Sequence, residues 1–188
     1  MAGRVAPLGL GWPNLISALR IALVPVLVAL ILVQTRVASY AATAVFVAGG
    51  LSDLLDGYLA RRNAMTTRTG AWLDPLSDKL LVAAAVVALA AVDRFPLWAA
   101  IVILAREVAV TGLRAIRGTQ GTSMPASGLG KAKTASQLLA VTLYLLPLGS
   151  WADGWRLAVL VIAVAFTVAS GLDYFLRVRR PAPQGRRP

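Results

Sequence analysis

Read as apolar and polar positions, the chain shows six long apolar runs broken by proline, glycine and charge. The alternation of apolar and polar faces that marks a water-soluble domain is missing. The runs cover roughly residues 15–34, 38–60, 72–92, 96–116, 132–149 and 155–176. Each approaches the ~20 residues with which a helix crosses a bilayer core. The pattern therefore predicts an all-α polytopic membrane protein, a bundle of six transmembrane helices. Connections at 35–37, 93–95 and 150–154 are short, whereas those at 61–71 and 117–131 are longer and basic. Arg20 and Pro25 interrupt the first run, and no small-residue cleavage site follows it, so it reads as a retained helix rather than a signal peptide.

Charge orients the bundle. The chain is 58% hydrophobic yet carries a formal net charge of +11, with eight acidic residues. With both termini cytoplasmic, the inner side receives Arg4, Arg61, Arg62, Arg68, Arg114, Arg117, Lys131, Lys133 and the basic C-terminal arginines, and the outer side keeps Arg36, Arg94 and Arg156. The positive-inside rule favours that orientation, in a cell membrane with the site facing the cytoplasm. Residues 1–178 then form one membrane domain, and 179–188 form a basic tail whose proline and glycine suggest disorder and whose charge suits anionic membrane lipids. No nucleic-acid partner is expected.

Chemistry narrows with composition. The chain has no cysteine and no histidine, which excludes disulfides, thiolate metal sites and imidazole bases. Acid–base and metal chemistry fall to carboxylates, hard ligands suited to magnesium, manganese or calcium. Asp53 and Asp56 stand near the end of the second run, and Asp74 and Asp78 at the start of the third. Spacings of three and four residues put each pair on one helix face, and antiparallel neighbours would bring both faces to one depth near the cytoplasmic surface. Unpaired carboxylates there would repel, so a site for one or two hard cations in a watery cavity is expected. A cation transporter is the alternative from another class, although the acids gather at one face without continuing across.

Written out, the segment is Asp53-Leu-Leu-Asp56-Gly57-Tyr-Leu-Ala60-Arg61, then Gly70-Ala-Trp-Leu-Asp74-Pro-Leu-Ser-Asp78. It resembles the signature of the CDP-alcohol phosphatidyltransferase family, and every fixed position matches. The resemblance implies that Asp53, Asp56 and Asp74 hold two ions of Mg2+ or Mn2+, while Asp78 completes the metal site and acts as general base. Gly57, Ala60, Arg61 and Gly70 would face the CDP moiety of CDP-diacylglycerol. Asn14, at the head of the first run, is either a nucleotide contact or a helix cap. A homodimer is a further expectation inherited from the family.

The acceptor is read from basic residues. Arg106, Glu107 and Arg114 lie on the fourth run, and Lys131 and Lys133 open the fifth. Arg106, Arg114, Lys131 and Lys133 are candidates to hold an acceptor phosphate, with a buried Arg106–Glu107 ion pair and simple anchoring of the two lysines as the plainer alternatives. These segments, with Pro13-Asn14 and Asp74-Pro75, resemble the branch of the family whose acceptor is glycerol 3-phosphate. Thr69 stands where that branch is expected to carry phenylalanine. Inositol phosphate, serine and phosphatidylglycerol therefore remain alternative acceptors.

Overall fold

A computed structural model describes residues 12–63, 70–119 and 128–179. The described chain consists of six α-helices and no strand: α1 (Trp12–Val33), α2 (Arg36–Asn63), α3 (Gly70–Ala91), α4 (Leu97–Thr119), α5 (Gly128–Leu145) and α6 (Asp153–Arg179), with a turn of 3-10 helix at Ser150–Ala152 before α6. At 1.5 Å per residue the helices are about 27 to 42 Å long, against a bilayer core of ~30 Å. The helices track the six apolar runs. The largest displacement is at α5, which begins at Gly128 and stops at Leu145. Pro147 lacks a backbone N–H and disfavours helix for Leu146 before it, so the helix cannot reach the predicted end at 149. The basic tail beyond Arg179 lies outside the described residues.

Two turns depend on left-handed backbone. Gln34 (φ 55°) closes α1, its N–H reaching the Ile31 carbonyl at 3.3 Å. Asp93 (φ 57°) closes α3 in a Schellman arrangement: Asp93 N–H donates to Ala90 O at 3.2 Å and Arg94 N–H to Leu89 O at 2.9 Å. That motif fixes where Arg94 leaves the helix.

The core runs along the bundle axis through Leu27, Ile31, Phe46, Leu81, Leu89, Ile103, Leu145 and Leu160, all essentially inaccessible. α1 packs against both α2 and α3, and α5 packs against α6. The outer surface is also apolar: Val37, Ile101, Val108, Leu139, Ile162 and Leu172 are exposed. A surface of that kind suits contact with lipid or with another protein better than contact with water. One segment among the described residues, Ser150–Arg177, is long and apolar enough to cross a membrane by itself, with mean hydropathy 2.1 over its most apolar 18 residues, and Ala18–Val33 and Lys79–Ala91 are shorter apolar stretches.

Gly49 and Gly50 let α2 approach two neighbours. A Cβ on Gly49 would lie 2.6 Å from Leu81 Cδ2 on α3, and one on Gly50 would lie 2.5 Å from Leu138 Cδ1 on α5. Alanine can be absorbed by rotating a leucine terminus, but a larger side chain must part the helices. Gly50→Leu is therefore expected to lower the Tm of the detergent-solubilised protein by an overpacking cost of about 1–3 kcal/mol, and Gly50→Ala by distinctly less. Equal effects would place the contact elsewhere.

Candidate functional site

Up-and-down connections put the ends of α1, α3 and α5 at one pole of the bundle and the segments 53–63 and 70–78 at the other. The helical backbone holds Asp53 and Asp56 one turn apart on α2, and Asp74 and Asp78 one turn apart on α3. The side chains of Asp53, Asp56, Arg61, Asp74, Asp78, Asn14 and Arg114 lie outside the described residues, as do the surroundings of Gly57, Ala60 and Gly70. Among the described residues no three acidic side chains gather as a metal site.

What is described is the polar wall next to these segments. Arg20 on α1 is 3% exposed, and its Nη2 donates to Ser52 Oγ at 3.1 Å, directly before Asp53. The Ser52 hydroxyl in turn donates to Gly49 O at 2.8 Å. A guanidinium inside an apolar helix is costly unless something compensates it, and Arg20 stands on α1 beside the start of the acidic segment. Sequence reading treated Arg20 only as an interruption of the first run; the available signal was a single cation inside an otherwise apolar span. Lys79, directly after Asp78, reaches across to Thr111 Oγ1 on α4.

Farther in, α4, α5 and α6 share one network. Glu107 Oε1 accepts from Lys133 Nζ and, at 3.1 Å, from Arg106 Nη1. Arg106 Nη2 donates to Ser170 Oγ at 3.0 Å. One turn away Gln137 Nε2 donates to Thr167 Oγ1 at 2.8 Å. Lys133 is 7% exposed and Thr167 and Ser170 are buried, so the network is screened from solvent. The structure thus brings Arg106, Glu107 and Lys133 together. It separates Lys131, which is exposed, from buried Lys133 two positions along the same helix.

Among the described residues two cations share one carboxylate, an excess of positive charge in a low-dielectric interior. Arg106 Nε is also buried without a hydrogen-bond partner among the described residues, a condition that costs about 1–3 kcal/mol. Its stem packs against Gly171, where a Cβ would come within 3.3 Å of Arg106 Cγ. Such a cluster is equipped to receive an anion.

A profile of the CDP-alcohol phosphatidyltransferase family matches residues 10–169. A Bacillus subtilis (strain 168) protein named CDP-diacylglycerol–glycerol-3-phosphate 3-phosphatidyltransferase is 39% identical over 178 residues, covering 87% of this chain and 92% of the relative. An Escherichia coli (strain K12) protein of the same name is 32% identical over 173 residues, covering 89% and 94%.

Proposed function

The chain belongs to the CDP-alcohol phosphatidyltransferase family and is an enzyme of that class; from that premise we propose that it transfers a phosphatidyl group from CDP-diacylglycerol to glycerol 3-phosphate, releasing CMP. The observation that carries the acceptor is the positively charged, buried Arg106–Glu107–Lys133 cluster beside the acidic segments, since a phosphorylated alcohol supplies the missing anion. The names of the B. subtilis and E. coli relatives, which align over nearly their whole length, agree with it.

In this reading the donor set of Asp53, Asp56, Asp74 and Asp78 is all hard oxygen, which fits Mg2+ or Mn2+. Two such ions, when bound, neutralise charge on the pyrophosphate oxygens. Arg61 adds a forked permanent cation, and Gly57, Ala60 and Gly70 leave room for the CDP moiety, with Asn14 at its edge. Asp78 accepts the proton of the acceptor hydroxyl. The acceptor oxygen attacks the phosphorus that bears diacylglycerol, the bond to the CMP oxygen breaks, and CMP leaves without a covalent enzyme intermediate. Arg106 and Lys133, with Arg114 nearer the cytoplasm, hold the acceptor phosphate, while Lys131, exposed on another face of α5, anchors that end of the helix.

Six membrane spans, cytoplasmic termini and a homodimer complete the proposal. The apolar exterior supports the first, the placement of basic residues the second, and the exposed apolar faces of α3 and α4 leave space for the third.

The test is CMP release by purified protein with CDP-diacylglycerol and Mg2+, comparing glycerol 3-phosphate with inositol phosphate, serine and phosphatidylglycerol. Release is expected with glycerol 3-phosphate and to stop with EDTA. Release with a different acceptor alone would move the acceptor assignment and keep the chemistry.

A further inference from the structure

The pole opposite the acidic segments carries a second concentration of positive charge that the reaction does not use. Three connections meet there: α1 to α2, α3 to α4, and α5 to α6. Each contributes an arginine to one cavity of about 300 Å³, namely Arg36, Arg94 and Arg156, with Gln34, Thr35 and Ser39 beside them.

Two of the three are held rigidly. Arg94, placed by the Schellman turn, donates from Nη1 to Ser39 Oγ at 2.9 Å and from Nη2 to Leu145 O at 3.0 Å and Tyr144 O at 3.2 Å. Arg156 donates from Nε to Leu143 O at 3.0 Å and from Nη2 to Leu146 O at 2.7 Å. These bonds satisfy carbonyls that the end of α5 leaves without helical donors. They also fix two guanidiniums near one another, and burial together with the Arg156 charge lowers the pKa of Arg94 from its ordinary value.

Carbonyl dipoles do not neutralise three full charges. Among the described residues Arg156 has Asp153 at 3.1 Å, whereas Arg94 and Arg36 pair with no carboxylate. Arg36 stands exposed in the first turn of α2, where the helix dipole adds further positive potential. Thr35 Oγ1 accepts from Ala38 N–H at 3.2 Å, and this cap fixes the start of that helix beside the cavity. Trp151 and Trp155 are 74% and 70% exposed alongside, as aromatic residues are at the headgroup level of a bilayer.

We propose that the Arg36–Arg94–Arg156 cavity binds one phosphate group, monoester or diester, as carried by a lipid headgroup or free in solution. The volume admits a phosphate with a small polar substituent and leaves no room for acyl chains, which would run down the apolar exterior. By joining three connections the ligand stabilises the bundle at the pole remote from the acidic segments.

The test follows the Tm of the full-length, detergent-solubilised protein at constant ionic strength, with sodium phosphate in one arm and dihexanoylphosphatidylglycerol in the other. At ligand concentrations far above Kd the wild-type Tm is expected to rise by about 5 °C or more. In Arg36→Glu the half-maximal concentration should increase at least about tenfold, the effect of losing one charge-assisted contact, and in Arg36→Gln by less. Arg36 lines no part of the proposed catalytic site, so retained CMP release would show that the variants are folded. A rise with the lipid alone identifies a headgroup, with phosphate alone a soluble anion, and with both a site open to either. No rise in either arm, or the same concentration dependence in wild type and Arg36→Glu, overturns the proposal.

Discussion

Asp78→Asn is expected to lower kcat for CMP release by about 10²–10⁴-fold, the range removed with a positioned general base, while much of the affinity for CDP-diacylglycerol survives. The chain has no histidine, so a proton leaving the acceptor hydroxyl near neutral pH needs a carboxylate. Asparagine keeps the size and a carbonyl oxygen but cannot accept that proton. Asp56→Asn should behave differently, because its proposed task is to hold metal under the pyrophosphate: there, Mg2+-dependent nucleotide binding falls together with turnover. Binding of a CDP-diacylglycerol analogue, titrated with Mg2+ in each variant, separates the two roles. Equal loss of binding in both would assign Asp78 to the metal site alone and remove its role as base.

Helix existence was legible because membrane helices advertise themselves by length and apolarity, and the six runs correspond to α1–α6. Their ends were less legible. Gly118 and Gly128 fall in the connection read at 117–131, yet Gly118 belongs to the last turn of α4 and Gly128 opens α5, end positions that escape most of the ~1 kcal/mol a glycine costs in a helix interior. The acidic segment was readable from spacing alone, since Asp53, Asp56, Asp74 and Asp78 repeat at helical intervals. Contacts across distant segments were not readable. Arg20 finds Ser52 across 32 positions and Arg94 finds Ser39 across 55, and no periodicity announces either. Arg94 and Arg156 entered the sequence reading as topology markers; the structure shows them closing the end of α5. The lysines at 131 and 133 looked equivalent as basic residues near a helix start. A 100° turn per residue sends one outward and the other into the bundle.

Glu107→Ala is expected to destabilise the protein by about 3–5 kcal/mol, the cost of removing one partner from a buried ion pair. The carboxylate is the shared acceptor of Lys133 and Arg106, so its loss leaves two buried cations with Ser170 as their remaining described side-chain partner. The change should appear as a large fall in Tm, larger than that for Lys133→Met, which removes a charge together with its desolvation cost. Combining Glu107→Gln with Lys133→Met then distinguishes structure from function. Both charges disappear, the side chains keep their volume, and Tm should recover most of the loss as a non-additive coupling between contacting residues. Activity should not recover: the acceptor KM is expected to stay raised about tenfold or more, because the ammonium proposed to hold the acceptor phosphate is gone. Recovery of both Tm and KM would assign the Glu107–Lys133 pair to helix packing alone, and the acceptor phosphate would then have to be held by Arg106 and Arg114.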